Sequence, residues 1–336
     1  MTLYCGIDLH SNNCFLSVIN DKDKRLLEKR LDNDPVLIVQ TLKRYRARLQ
    51  AVAIESTYNW YWLADALQDA GFKVRLVNTA QIIQYQGLKQ TDDRYDAFHL
   101  AHLMRLGILP TGYICPRDER GLRDLLRRRM FLVQDRSRHI ISLKGQYQRQ
   151  TGQTLSTNAI KGKRFVLPIV GDMNVQLAMT SNLNMVKVLT QQIRTLETVI
   201  LRQVKRVPTF ELLKSTSGIG DILAETILLE TGDIRRFKRV GNYASYCRCV
   251  ESKRISNDKK KGVGNRKNGN KYLAWAFIEA ANFAKRHNPK ARAFYERKKA
   301  ETNNIIALKA LAHKLSRACY HIMKNEVAFD SSKLFA

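Results

Sequence analysis

Apolar positions recur with a period of two in the first stretches of the chain and with a period of three to four further on. The runs "TLYCGIDLH" (2–10) and "NCFLSVIND" (13–21) are rich in β-formers and separated by a polar turn at Ser11-Asn12. "KRLLEKRL" (24–31) predicts a third strand that completes an antiparallel meander. Helical spacing follows in "PVLIVQTLKRYRARL" (35–49), where Pro35 suits a first turn. "AVAIES" (51–56) reads as a buried strand and "YNWYWLADALQDAG" (58–71) as a helix closed by Gly71. "KVRLVN" (73–78) is another strand and "DAFHLAHLMRLG" (96–107) another helix.

Three meander strands followed by αβαβα is the element order of an RNase H-like sheet, a likeness at the level of fold alone. From Arg117 to about Gln150 the pattern predicts one long, highly charged helix. A second is expected over 182–206, with Val186, Leu189, Ile193, Leu196 and Ile200 alternating at three and four residues. That repeat is the seam of a coiled coil or helical hairpin, or the buried stripe of an ordinary amphipathic helix. The intervening "TGQTLSTNAIKGKRF" (151–165) is polar and loop-like, and from Pro208 onward the pattern is compact and mostly helical. The expected domains are therefore 1–115, 116–207 and 208–336. No repeat at solenoid periods is visible.

Charge changes this picture most. The chain has 58 Lys and Arg against 30 Asp and Glu in 336 residues, a formal charge of +28. Residues 1–110 carry only +2 of it and the remainder +26. A field of that sign and size favours polyanions, nucleic acid first among them. The six cysteines show no CxxC pairing, which suggests reduced thiols in a cytosolic protein rather than a zinc site. There is no signal-peptide pattern and no apolar run of membrane-spanning length, so a cytoplasmic protein with no membrane partner is expected.

Four carboxylates stand out against the apolar background. Asp8 interrupts the first strand, where a charge is costly unless paired or holding a cation. Glu55 ends the next buried strand, and Asp93 and Asp96, three apart at a helix start, share one helical face. Each alone fits a blander role, a turn Asp for Asp8 and helix capping for Asp93 and Asp96. Together they can meet at one sheet edge and hold hard cations, Mg²⁺ or Mn²⁺. Asp92 is an alternative to Asp93. His10, His99 and His102 lie nearby in sequence, with packing or exposure their ordinary explanation.

The last third adds two motifs. Gly218-Ile219-Gly220 precedes a helical run, where a backbone free of side chains can approach a phosphate. "SKRISNDKKKGVGNRKNGNKYLAWAF" (252–277) crowds eight Lys and Arg around Ser256. A serine hydroxyl is a poor nucleophile until its anion is stabilised, which neighbouring cations can do. Lys253, Arg254, Lys259, Lys260, Lys261, Arg266, Lys267 and Lys271 are the candidate phosphate contacts. In the plainer alternative Ser256 merely donates a hydrogen bond in a phosphate-binding loop. Arg123, Arg127, Arg128 and Arg129 are assigned to nucleic-acid contact, RNA in particular, against the alternative of a solvated helix face.

"GIDLH", "IEST", "TDDRYDA", "SGIG" and "ISNDKKKGVGNRKNGNKYLAWAF" follow one another in an order that resembles the DEDD transposases of bridge-RNA-guided insertion sequences, across nearly the whole chain. The resemblance implies an α/β RuvC-like (RNase H-like) N-terminal domain, a helical coiled-coil connection and a mostly α C-terminal transposase domain. It implies an acidic tetrad at Asp8, Glu55, Asp93 and Asp96 and a nucleophile at Ser256. The stretch after that serine, usually Gly-rich in the family, reads Asn257-Asp258 here, and Ser217 stands where a proline usually precedes Gly-Ile-Gly. Implied partners are target and donor DNA, a structured bridge RNA, and further copies of the chain as a homodimer assembling to a tetramer. The rivals are a RuvC-like nuclease or junction resolvase in which water attacks, and a noncatalytic scaffold that binds RNA or DNA.

Overall fold

The structure, a computed structural model, describes residues 1–82, 92–162, 164–204, 207–251, 254–256, 258–262 and 268–335. The chain divides into two compact units, Met1–Arg117 and Asp118–Ala336.

The first unit is a five-stranded sheet in the order β3-β2-β1-β4-β5, built from β1 (Leu3–Leu9), β2 (Asn13–Asn20), β3 (Arg25–Asp32), β4 (Leu49–Glu55) and β5 (Val74–Val77). The first three strands are an antiparallel meander; β4 runs parallel to β1, and β5 parallel to β4. Helices α1 (Pro35–Lys43), α2 (Tyr61–Asp69) and α3 (Asp93–Arg105) complete the βββαβαβα order of an RNase H-like fold. Helix α1 stops earlier than its apolar spacing suggests. Leu49, which continues that spacing, pairs in register with Leu3 and opens β4 instead.

Strand β1 divides its side chains between two layers, as the period of two requires. Leu3, Cys5, Ile7 and Leu9 pack with Ile38, Leu42, Leu63 and Leu67 from α1 and α2. Tyr4 joins the opposite layer, with Leu100, Leu103 and Met104 of α3. Gly6 lies under α3 as well, so close that a β-carbon there would sit 2.1 Å from the Ala97 carbonyl oxygen. That missing side chain lets the helix backbone rest directly on the strand.

The second unit opens with α4 (Arg117–Thr151), a short α5 (Thr157–Ile160) and α6 (Met173–Gln203). The two long helices form an antiparallel hairpin. Tyr147, Leu143 and Ile140 meet Met179, Leu183 and Val186; Leu132 meets Leu189 and Ile193; Leu126 meets Ile200. At about 1.5 Å per residue α4 is some 50 Å long. A polar clasp crosses the hairpin, His139 Nδ1 lying 2.9 Å from Asn182 Oδ1 while the Asn182 amide donates to Gln146 at 3.1 Å. The predicted seam on α6 is thus filled from within the chain, and α6 starts nine residues before the expected position because Met179 and Leu183 extend it.

The remainder is a helical domain of α7 (Pro208–Lys214), α8 (Asp221–Thr231), α9 (Val240–Tyr246), α10 (Lys271–His287), α11 (Pro289–Glu301), α12 (Asn304–Asn325) and α13 (Ser331–Phe335). Its core joins Phe210, Tyr243, Phe277, Leu311 and Leu315 to alanines of α10 and α12. Among the described residues this domain departs from the helical expectation in a two-stranded antiparallel sheet, β6 (Arg254–Ser256) with β7 (Lys259–Gly262). All six cysteines are free and buried. Among the described residues no helix is long and apolar enough to cross a membrane.

Candidate active site

The acidic residues of the first unit converge at the C-terminal ends of its parallel strands. Asp8 follows Ile7, which pairs with Ile54, so Asp8 and Glu55 stand side by side one residue past that pair. Open sheets place ligands at such strand ends. Helix α3 brings the other two. Asp92 caps it, its side chain accepting from the Tyr95 amide at 2.7 Å, which leaves Asp93 and Asp96 in the first turn free of capping. Of the two candidates in "TDDRYD", the structure therefore gives Asp92 the capping role and turns Asp93 toward the cluster.

His10 joins them, and its placement follows from the strand period: positions 6, 8 and 10 share the face covered by α3. Its Nε2 lies 3.1 Å from Asp8 Oδ2 and 3.2 Å from Asp93 Oδ1, without the alignment of a hydrogen bond to either. Asp8, His10 and Asp93 each offer a ligand atom, all within 4.8 Å of one another. The Asp–X–His spacing on a strand was the signal for this residue. His99 and His102 belong elsewhere: His99 stacks on Tyr95, and His102 Nδ1 lies 2.9 Å from Asp23 Oδ1.

Electrostatically the cluster gathers like charges, with His10 the one basic group beside them among the described residues. Burial, followed by a hydrogen bond to Asp8 and the charges of Asp8 and Asp96, pushes the Glu55 carboxyl up to about 8. Burial first, then Asp8, Asp93 and Asp92, also raises Asp96, against a smaller opposing effect of His10. Asp8 is 3% exposed, and the buried Asp96 Oδ1 has no hydrogen-bond partner. Buried like charges with an orphaned oxygen are costly by themselves. Hard carboxylate oxygens and an imidazole nitrogen gathered at one point fit a divalent metal of the Mg²⁺ or Mn²⁺ type.

In the second unit Ser256 ends β6, with its backbone paired to Lys259 across a tight turn. Asp258 in that turn has a left-handed φ of 55°, a conformation Asp tolerates better than most residues. The sequence suggested an open loop here; the ladder shows that the backbone of Arg254, Ser256 and Lys260 is held in strand pairing instead. Lys259 and Lys261 are exposed, and Lys271 is exposed in the first turn of α10. Lys253, Arg266 and Lys267 lie outside the described residues.

A buried network braces the far end of this segment. Arg127 on α4 donates to both oxygens of Glu230, at 2.5 and 2.9 Å, and lies over the Tyr272 ring. The Asn270 amide donates to Glu230 at 2.7 Å while its oxygen caps α10, and the Arg248 guanidinium donates to the Gly269 carbonyl. Arg129 is held by Glu197 and Arg123 is buried, so of the four arginines expected to touch nucleic acid, only Arg128 is exposed. Arg127 and Arg129 act inside the fold because the acids opposite them, on α8 and α6, are themselves partly or wholly buried.

Gly218 and Gly220 have different surroundings. Gly218 has φ of 91°, and a β-carbon there would lie 2.3 Å from the Ala280 carbonyl oxygen of α10, so this glycine serves close packing. Gly220 is the N-cap of α8 with open space around it, and no side chain caps that helix.

Comparison with known families returns two matches. Residues 5–149, which contain the acidic cluster, match the model of a DEDD transposase of the IS110 type. Residues 210–296, which contain Gly218, Gly220 and Ser256, match the transposase IS116/IS110/IS902 family. No curated protein matches the chain.

Proposed function

Because the chain belongs to the IS110-type DEDD transposases, enzymes that cut and rejoin DNA, we propose that it works through two chemical centres, a metal-holding acidic tetrad and the hydroxyl of Ser256. The observation that carries the first centre is the cluster of like charges at the ends of β1 and β4, with the Glu55 carboxyl pushed up to about 8 and an Asp96 oxygen without a hydrogen-bond partner. Asp8, Glu55, Asp93 and Asp96 hold the ions, with His10 as a neighbouring ligand or proton carrier. Bound Mg²⁺ or Mn²⁺ would neutralise charge on the phosphate oxygens.

Ser256 Oγ attacks the scissile phosphorus and releases its proton. A P–O bond forms to the serine, the bond to the 3′ oxygen breaks, and that oxygen leaves as a protonated 3′ hydroxyl. One strand end is then held through its 5′ phosphate. Attack on the phosphoserine by a 3′ hydroxyl of the partner duplex restores a phosphodiester and frees Ser256. The cations along 253–271 grip the phosphates around the break. The +26 carried by residues 111–336 supports a large nucleic-acid load. In this reading the load is target DNA, donor DNA and a structured bridge RNA whose loops select the sites by base pairing. Copies of the chain assemble as a dimer and then a tetramer around it.

A recombination assay with element-end and target duplexes tests this. Ser256→Ala is expected to abolish both recombinants and covalent protein–DNA adducts, and RNase treatment to abolish site choice. Surviving hydrolytic nicks in Ser256→Ala would assign the attack to water, as in a junction resolvase. Undiminished output from Asp8→Asn with Glu55→Gln would make the protein a noncatalytic scaffold.

A further inference from the structure

We propose that a pocket of 680 Å³ in the second unit holds one unpaired nucleotide of a DNA or RNA strand, its base against the aromatic face of α10 and its phosphate between Arg136 and Lys161. The proposal rests on the transposase reading only in taking nucleic acid as the ligand. The volume lies within the roughly 300–1,000 Å³ of small-molecule sites.

One wall is a single face of α10. Trp275, Glu279, Phe283 and His287 follow at intervals of four, so successive turns present them to the same cavity. Phe283 is 42% exposed, an aromatic ring left in solvent rather than in the core. Such rings are platforms on which any base can stack. The lining also supplies charge from Arg136 of α4 and from Lys161, just after α5. The buried Arg136 Nε has no acceptor, and its Nη1 has only a long contact of 3.4 Å to Thr190. Beside these cations α8 begins at Gly220, whose surroundings are open, so its first amides face the same space.

The other charges of the pocket are already matched. Asp221 is held by Lys214 at 2.8 Å and Arg129 by Glu197. That leaves Lys161 facing Glu279, while Arg136 faces Glu197, a carboxylate that Arg129 already engages. Burial, then the charge of Arg136, depresses the Lys161 ammonium, with Glu279 opposing. Burial, then Arg129, depresses Arg136. A phosphate would remove that repulsion. Glu279, set between the two aromatic rings, would accept from an exocyclic amino group, which favours adenine, cytosine or guanine over thymine or uracil.

The test uses the full chain and an oligoadenylate of about twelve nucleotides with one internal 2-aminopurine, made both as DNA and as RNA. Binding is expected to quench the 2-aminopurine; whichever sugar gives the tighter, quenched complex identifies the strand. Trp275→Ala and Phe283→Ala should each weaken binding about tenfold and restore emission, while Phe283→Tyr keeps both. Lys161→Ala should weaken binding and flatten its salt dependence. Wild-type quenching and affinity in Trp275→Ala, Phe283→Ala and Lys161→Ala would overturn the pocket as a nucleotide site. If those variants and the wild type alike bind element-end duplex and recombine it, the transposase reading stands without the pocket. A wild type that binds neither duplex nor single strand removes both.

Discussion

Replacing Gly6 with alanine tests how the acidic cluster is positioned, because this residue touches no substrate. A β-carbon at position 6 would lie 2.1 Å from the Ala97 carbonyl oxygen, 2.8 Å from the Ala101 amide nitrogen and 3.0 Å from the Leu100 β-carbon. The nearest atoms are helix backbone, which cannot rotate aside, so α3 must retreat by about an ångström to restore ordinary contact. That retreat carries Asp93 and Asp96 with it, while Asp8 and Glu55 stay on their strands. Overpacking of this kind costs about 1–3 kcal/mol of stability. A misplacement of about 1 Å in a reacting constellation costs on the order of a hundredfold in rate. Gly6→Ala should therefore lower the melting temperature moderately, weaken Mg²⁺ binding measured by calorimetry, and cut the recombination rate far beyond the loss in folded protein. Gly112→Ala is the control, since its β-carbon would meet only ordinary contacts at 3.7 Å or more. Wild-type metal affinity and rate in a folded Gly6→Ala protein would refute the backbone contact as the device that sets the site.

Four further outcomes follow from the same structure. Glu55 is protonated below about pH 8 in the metal-free protein, and a metal favours its ionised form. Mg²⁺ binding should therefore release close to one proton near neutral pH and tighten as pH rises toward 8; calorimetry in buffers of different ionisation enthalpy that finds no proton release would contradict this. Without metal the sign reverses: the raised carboxyl costs stability progressively as pH climbs from about 4.5 toward 8, so apo protein should melt lower at the alkaline end. Arg127→Ala strands Glu230, 3% exposed, without its bidentate partner and should destabilise the second unit by about 3–5 kcal/mol, read by chemical denaturation. Gly121→Ala, inside α4 with open space around it, should stabilise by about 0.5–1 kcal/mol, and a loss in melting temperature would show an unseen constraint there.

The strand-and-helix order of the first unit was legible because β1, β2 and β4 are short apolar runs whose period of two leaves little choice of face. Asp8 and Glu55 were legible for the same reason, as charges where the pattern demands apolar residues. His10 was less legible because a histidine beyond a strand end has many uses, and only the cover of α3 over this face of the strand makes its direction informative. The sheet at 254–262 was hidden by composition: "KKKG" has no apolar alternation to announce a strand. The arginines of α4 show the opposite limit. A run of positive charge reads as a nucleic-acid surface, yet Arg127 and Arg129 find Glu230 and Glu197 more than 60 residues away, partners that no local pattern reveals.

The burial of all six thiols has a chemical consequence. Burial pushes Cys14, Cys249 and Cys319 to about 12, so almost no thiolate exists there at neutral pH, and all six residues are buried. The folded chain is therefore expected to react slowly with alkylating labels and to resist accidental cross-linking between copies. A single cysteine introduced on its surface would be the sole point of attachment for a dye or a spin probe.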